Sequence, residues 1–199
     1  DHWLGLARHS LRVSLKNGQL INGMSRFSIH KLRARQYPYE HAFQGSLRDR
    51  GNLTAVHELA FVKVNGEDWG IMSLEESISK EFLEKQKVKD SLVFRFSDDN
   101  KRLQYEGGSL DTYKNYRYSD PKLFSTVSRQ KKYLNSELSR KRYTYVLERI
   151  LEEDHANLYA QVPHLNAFFY SLAWNNMHTL GHNNSRYYFN PYTLELEPI

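Results

Sequence analysis

The sequence predicts an α+β fold, with a β-rich N-terminal part and a helical C-terminal part. The first third alternates apolar and polar residues between Asn-Gly pairs, a pattern typical of β-hairpins. Further along, a long segment with apolar residues at helical spacing is followed by a more apolar helix. A polar loop and a short hairpin come last. This order favours two lobes with a ligand-binding cleft between them.

Short strands make up the first third of the chain. Their alternation of apolar and polar residues predicts that each strand buries one face. Asn-Gly pairs, which favour the tight turns of hairpins, separate several of them. We therefore expect an antiparallel sheet built from hairpins. The predicted strands span residues 10–15, 19–21, 27–30, 58–64 and 69–73.

A first helix is predicted directly after these strands. Ser73 precedes Glu75 and Glu76, and a Ser followed by acidic residues is typical of a helix N-terminus. Residues 91–96 return to a strand pattern. Residues 97–130 are polar and rich in turn-forming residues, which predicts an irregular insertion.

Two longer helices are predicted in the C-terminal part. Residues 134–153 carry apolar side chains near helical spacing. A second helix begins near Pro163, a residue favoured in a first helical turn, and ends near Trp174. Its apolar residues cover a wide arc, so we expect this helix to be buried. They are Leu165, Phe168, Phe169 and Leu172.

These elements fit a single domain over residues 1–199, with a final hairpin from strands near residues 186–189 and 195–197. Of the 199 residues, 40% are hydrophobic and 26% are charged, which is enough apolar material for a packed core. The predicted β-rich lobe covers residues 1–96, the insertion 97–130 and the helical lobe 131–199.

The composition excludes several classes of site. The chain has no Cys, which rules out disulfides, iron–sulfur clusters and thiolate zinc sites. The net charge is +5, but the basic residues are spread along the chain and no known nucleic-acid-binding motif accompanies them. No stretch approaches the roughly 20 apolar residues that a membrane-spanning helix needs. We therefore expect neither a nucleic-acid partner nor a membrane span in this segment.

The most unusual segment is the polar loop at residues 174–184, which holds four Asn and two His residues. A loop after a core helix is a common place for catalytic groups. His178 can act as a general base, and the side-chain oxygen of Asn184 suits Mg²⁺. The alternative is a structural turn in which the Asn side chains satisfy the backbone. His178 and His182 also have zinc-motif spacing, but the Glu of that motif is absent, which disfavours a zinc hydrolase.

Three charged residues of the β-rich part are candidates for a nucleotide site. Arg12 and Lys16 lie on or beside the first strand, where a basic residue can hold phosphates. Glu76 lies at a predicted strand-to-helix junction, where a carboxylate can line a cleft. The simpler alternatives are a solvated strand face and a favourable charge at a helix N-terminus. Neither a Walker-type nor a kinase-type glycine-rich motif is present.

Three segments together carry a resemblance to a known family. Residues 64–84 contain Asn-Gly, then Glu76 and Ile78, then Phe-Leu, with Met72 where the family has Tyr. Residues 182–199 contain an Asn-Pro-x-Thr hairpin followed by Glu-Pro-Ile. Residues 10–16 match a basic N-terminal strand more weakly. Over nearly its whole length, the chain resembles the CotH (spore coat protein H) family of atypical protein kinases.

The resemblance implies a divergent two-lobed protein-kinase-like fold and an ATP-dependent protein serine kinase. Such an enzyme uses Mg²⁺ and transfers the γ-phosphate of ATP to a serine hydroxyl of a secreted or envelope protein. Its implied location is extracytoplasmic, in the bacterial cell envelope, the periplasm or the exterior. Asn184 matches the family's metal-binding Asn, Arg12 or Lys16 matches its phosphate-holding base, and Glu76 is expected in the nucleotide cleft.

The chain departs from the family pattern at two points. No Asp lies between Asp154 and Ile199, so the family's catalytic Asp is either replaced by His178 or absent. The family's second metal-binding Asp falls just past Ile199, so we expect the chain to be part of a longer protein. The alternative function is a pseudokinase, or a carbohydrate- or partner-binding envelope domain without catalysis.

Overall fold

A computed structural model describes residues 10–96, 124–126, 134–180 and 184–199 of the chain. Within these residues the fold is mixed α+β, with a β-rich N-terminal region and helices in the C-terminal region, as the sequence predicts. The chain divides into two units, residues 1–90 and residues 91–199. None of the described helices is long and apolar enough to cross a membrane.

The N-terminal unit is a four-stranded antiparallel sheet in the order β1-β2-β4-β3. The predicted Asn-Gly turns form because Asn17, Asn22 and Asn65 adopt φ angles of 56°, 49° and 51°, a region that Asn tolerates. The elements of this unit are β1 (Leu11–Ser14), β2 (Arg26–His30), α1 (Tyr39–Asp49), β3 (His57–Val64), β4 (Glu67–Glu76) and α2 (Lys80–Lys85).

One face of this sheet carries the core of the N-terminal unit. Alternate residues of a strand point to the same face, so the apolar residues of the predicted alternation meet there. The core is formed by Met24, Phe27, Ile29, Val62, Trp69, Met72 and Leu74.

Helix α1 is an element that the sequence analysis missed. Only Phe43 and Leu47 of its 11 residues are buried. Two apolar positions one turn apart form a stripe that is too narrow to predict an amphipathic helix in a polar segment. The first third of the chain is therefore not a sheet of hairpins alone.

The predicted start of a helix at Ser73 is wrong. β4 continues to Glu76 because residues 73–76 are paired with β2 on one side, and Ser73 and Glu75 are paired with β3 on the other. Helix α2 begins at Lys80, and its cap is Ser79, whose Oγ accepts a hydrogen bond from the Phe82 N–H at 3.2 Å. Glu76 is thus a strand residue and not a favourable charge in a helical first turn.

The C-terminal unit has a second antiparallel sheet, in the order β6-β5-β7-β8. Most of the predicted insertion at residues 97–130 lies outside the described residues, but residues 124–126 form β6 and pair with β5. The elements are β5 (Val93–Phe96), β6 (Phe124–Thr126), α3 (Glu137–Leu151), α4 (His155–Leu158), α5 (Gln161–Ala173), β7 (Tyr187–Phe189) and β8 (Leu196–Pro198). The core is formed by Leu92, Phe94, Val146, Ile150, Leu158, Phe189 and Leu196.

The prediction that α5 is buried is wrong. Its apolar residues Leu165, Phe168, Phe169 and Leu172 have exposed fractions of 53%, 45%, 61% and 46%. The buried residue of this helix is Ser171. The less exposed side of the helix instead carries His164, Asn166 and Ser171, the reverse of what an amphipathic pattern predicts.

Candidate functional site

The five predicted site residues fall into two groups. Arg12, Lys16 and Glu76 belong to the N-terminal unit, whereas His178 and Asn184 belong to the C-terminal unit. Within the C-terminal group, the structure brings both residues together. Within the N-terminal group, it separates Glu76 from Arg12.

The loop after α5 is held by a short chain of hydroxyl contacts. It begins with one 3₁₀ turn, Met177–Leu180. Thr179 Oγ1 donates to the carbonyl of Asn176 at 2.7 Å and lies 2.9 Å from the buried Ser171 Oγ. Ser185 Oγ donates to the carbonyl of Thr179 at 3.0 Å. These bonds tie both sides of the loop to the end of the helix.

His178 and Asn184 are in contact across this loop, and both side chains are exposed. Asn184 Nδ2 lies 3.2 Å from His178 Nε2 and donates to the His178 carbonyl at 3.1 Å. Nδ1 of the same ring lies 3.5 Å from Asn184 Nδ2, so the amide is within reach of both ring nitrogens. An imidazole nitrogen that carries no proton can act as a general base.

The described residues do not form a magnesium site by themselves. Mg²⁺ takes octahedral oxygen ligands, commonly carboxylates, phosphates and water, and Asn184 can supply one carboxamide oxygen. No group of three or more His, Asp or Glu side chains within the described ranges could hold a metal ion. His182 and Asn183 lie outside those ranges. We therefore assign no chemical step to a metal ion.

Glu76 has an explanation that needs no ligand. Its side chain is buried and its Oε1 lies 3.1 Å from the Lys85 ammonium. Burial raises the pKa of Glu76, and the hydrogen bond and charge of Lys85 offset part of this effect. Lys85 Nζ also donates to the carbonyl of Asn22 at 3.3 Å. Lys85 of helix α2 therefore connects Glu76 to the Asn22-Gly23 turn, and the carboxylate helps to hold the ammonium in place.

Arg12 and Glu76 lie on opposite faces of the first sheet. Arg12 is directly opposite Ser28, and Ser28 is directly opposite Glu75. Phe27, one residue before Ser28, is opposite Glu76. Directly opposed residues of antiparallel strands share a face, and successive residues alternate. Arg12 therefore shares its face with Glu75, the neighbour of the predicted residue.

Lys16 follows the end of β1 and opens the Asn17-Gly18 turn. The Gln19 N–H donates to its carbonyl at 3.1 Å, so the backbone of Lys16 is fixed while its side chain is exposed. Within the described part of the chain, the ion pairs include neither Lys16 nor Arg12. Both cations are thus accessible to an anion from solvent.

Glu75 is the centre of a polar cluster that the sequence analysis did not identify. Its Oε2 is in contact with the Arg35 guanidinium and lies 3.3 Å from His30 Nε2. His57 is directly opposite Glu75 in β3, and its ring centroid lies 5.3 Å from that of His41 in α1. These residues are far apart in the sequence, so no local motif could have revealed the cluster.

The charges of this cluster act on one another. Burial raises the pKa of Glu75, but its contact with His30 and the charge of Arg35 outweigh burial and leave the pKa below its usual value. Burial lowers the pKa of His57 to about 4, and the charges of His41, Arg35 and Arg48 add to this, against the attraction of Glu75. The cluster therefore holds an ionised carboxylate beside a neutral imidazole.

Comparisons with known proteins do not identify a family for the chain. No protein-family model matches the chain, and no curated protein matches it.

Proposed function

We propose that the chain is part of a CotH-like, ATP-dependent protein serine kinase that acts outside the cytoplasm on a secreted or envelope protein. The contact between His178 and Asn184 carries this proposal. In protein kinases the catalytic base and a metal-binding Asn lie a few residues apart on one loop. His178 and Asn184 are 6 residues apart and in hydrogen-bond contact, on a loop that follows a helix.

The corresponding fold proposal is a divergent two-lobed protein-kinase-like fold. The β-rich N-terminal unit and the helix-containing C-terminal unit occur in the order that this proposal requires. Protein kinases also carry a helix within the N-terminal β-rich lobe, where its Glu holds a phosphate-binding Lys. Helix α1 also lies within the β-rich unit, although it precedes the third strand.

In the proposed reaction His178 is the general base. The serine oxygen of the substrate forms a bond to the γ-phosphorus while the bond from that phosphorus to the β,γ-bridging oxygen breaks, and ADP leaves. The hydroxyl proton passes to Nε2 of His178. Asn184, which contacts that nitrogen in this structure, gives up its hydrogen bond when the proton arrives. Mg²⁺ is the proposed cofactor, with Asn184 as one ligand.

Arg12 and Lys16 are the proposed phosphate-binding residues. Both side chains are exposed cations, and Arg12 projects from a strand. The guanidinium of Arg12 suits bidentate contact with phosphate oxygens, whereas Lys16 offers a point charge at a turn. Contact between Glu76 and the nucleotide stays a prediction, and its burial beside Lys85 favours a positioning role.

A partner-binding domain without catalysis is the second candidate function. The observation that favours it is the exposed apolar side of α5, which extends to Trp174 and Met177 with exposed fractions of 37% and 48%. Exposed apolar patches of this kind often mark surfaces that bind other proteins.

Nucleotide binding tests the proposal. We expect Mg-ATP to raise the melting temperature of the native chain, because a ligand that binds only the folded state stabilises it. Asn184→Ala should abolish the part of the shift that requires Mg²⁺, and Arg12→Gln with Lys16→Gln should weaken ATP binding. Asn157→Ala, which removes another exposed Asn of the C-terminal unit, is the matched control and should bind as the native chain does.

Phosphoryl transfer separates the two candidates. His178→Gln should keep Mg-ATP binding but lose transfer of radiolabelled phosphate to serine by about 10²-fold or more, the usual contribution of a general base. Binding without transfer in the native chain would favour a pseudokinase. Absence of Mg-ATP binding at millimolar concentration would overturn the kinase proposal and leave the partner-binding domain.

A further inference from the structure

Strand β3 is an edge of the first sheet. It pairs with β4 on one side, and no strand of the described residues pairs with its other side. With 8 residues, His57–Val64, it is longer than most strands of globular proteins. An exposed edge of this length presents a row of N–H and C=O groups that can pair with another strand.

The middle of this edge is apolar and exposed. Leu59 and Phe61 have exposed fractions of 45% and 61%, and Ile71 of β4, directly opposite Phe61, is 58% exposed. The three side chains share one face and form a continuous patch beside the edge. Proteins usually protect such edges with charges, Pro or bulges. Glu58, Lys63 and an irregularity in the pairing with β4 after Val62 flank the patch, but residues 59–62 carry neither a charge nor a Pro.

We propose that two copies of this chain associate by antiparallel pairing of their β3 strands about a two-fold axis at Ala60. The outer edge of β3 offers backbone N–H and C=O groups, so its partner must be an extended strand. An apolar patch alone would not specify the conformation of the partner. In this register Leu59 of each copy lies opposite Phe61 of the other, on the face that also carries Ile71. Pairing joins the two sheets into one of eight strands.

The sequence of β3 is complementary to itself in this register. His57 lies opposite Lys63 of the second copy, and Glu58 lies opposite Val62, so no like charges face each other. A shift by one residue would turn the apolar side chains of the two copies to opposite faces. A shift of the axis to Phe61 would place Leu59 opposite Lys63 and replace the two Leu59–Phe61 pairs by a single pair of Phe61 side chains.

Helix α5 carries a second exposed apolar surface, and a substitution there serves as the matched control for a substitution in β3. Phe169 and Phe61 are each 61% exposed, so substitution of either by Lys should leave the fold intact. By analytical ultracentrifugation we expect a concentration-dependent dimer of the native chain. Phe61→Lys should weaken dimerisation by about tenfold or more, whereas Phe169→Lys should leave it unchanged. Circular dichroism of each variant confirms that it is folded.

Two outcomes of this experiment overturn the proposal. One is a native chain that stays monomeric at several hundred micromolar, even if it binds an extended peptide at β3. The other is a dimer that survives Phe61→Lys but is lost in Phe169→Lys, which would place the contact on α5.

Disulfide trapping tests the register, because the chain has no Cys of its own. Ala60→Cys should form an intermolecular disulfide readily, since residues opposite each other in antiparallel strands have Cα atoms about 4.5–5.5 Å apart. Lys63→Cys should not, because six residues at about 3.4 Å each separate the two copies of that position by roughly 20 Å. Equal trapping of both variants, or trapping of Lys63→Cys alone, would contradict the proposed two-fold axis.

Discussion

Oε1 of Glu76 lies 3.1 Å from Nζ of Lys85, and this ion pair joins the end of β4 to helix α2. The carboxylate is almost fully buried, whereas the Lys85 side chain is 32% exposed. Removal of the cation therefore leaves an uncompensated buried charge, which costs more than the ion pair contributes while intact.

Lys85→Met should lower the free energy of unfolding at pH 8 by about 1–3 kcal/mol, measured by urea denaturation. Because the pKa of Glu76 is raised above its usual value, its carboxyl in the folded state takes up a proton as pH falls, and the loss should be smaller at pH 5. Lys80→Met breaks a surface ion pair with Glu84 whose side chains are each 56% exposed, and should cost less than about 0.5 kcal/mol. Equal losses in both variants would contradict the buried pair.

Acid should destabilise the N-terminal unit through His57. Its pKa in the folded state is about 4, below the usual His value of 6.5, so the unfolded chain binds more protons between these values. Stability should fall as pH drops from about 6.5 to 4, by at most about 3 kcal/mol from this residue. The pKa of Glu75 is lowered in the folded state, so protonation of Glu75 reduces stability only when the pH falls below the pKa of an unfolded Glu.

The His57→Gln variant isolates this effect from the other charged groups of the cluster. Its denaturation midpoints should depend less on pH between 6.5 and 4 than those of the native chain, because His41, Glu75, Arg35 and Arg48 remain. A pH profile identical to that of the native chain would show that His57 does not titrate as its environment implies.

Two serine substitutions distinguish the observed helix start from the one that the sequence suggests. Ser79→Ala removes the cap of α2 and should cost about 1 kcal/mol. Ser73 is fully buried in β4 and its Oγ has no hydrogen-bond partner among the described residues, so Ser73→Ala should be neutral or stabilising. Thermal denaturation of the two variants checks this, and a larger loss for Ser73→Ala would support the helix start that the structure rejects.

A pair of phenylalanine substitutions tests the exposed side of α5. Phe189 is 1% exposed in the core of the C-terminal unit, and Phe189→Ala should cost about 3–5 kcal/mol. Phe169 is 61% exposed, so Phe169→Ala should cost less than about 1 kcal/mol in urea denaturation. Comparable losses would mean that α5 is buried in solution, as its sequence suggests.

Part of the candidate site could be predicted because its residues are close in the sequence. His178 and Asn184 lie in one short polar loop, and the chain between them limits how far apart they can be. Glu75 could not be identified in the same way, because Arg35, His30 and His57 reach it from three other segments. The sequence predicts Glu76 in its place, although the alternation of β4 directs Glu76 to the opposite face.

The sequence by itself determined most of the strands, the Asn-Gly turns and the long helix α3, because turn chemistry and hydrophobic period are local properties. The strand predicted at residues 19–21 is wrong, since only an isolated bridge joins Ile21 to Met24, and β6 forms inside the predicted irregular insertion. Tertiary structure decided where β4 ends, since pairing with β2 and β3 overrides the local capping signal at Ser73. It also decided which side of α5 is covered, since the side with His164, Asn166 and Ser171 is less exposed than the apolar side, the reverse of an amphipathic pattern. Pairing register, finally, gave Glu75 and Glu76 different surroundings, a consequence of side chains alternating between faces of a sheet.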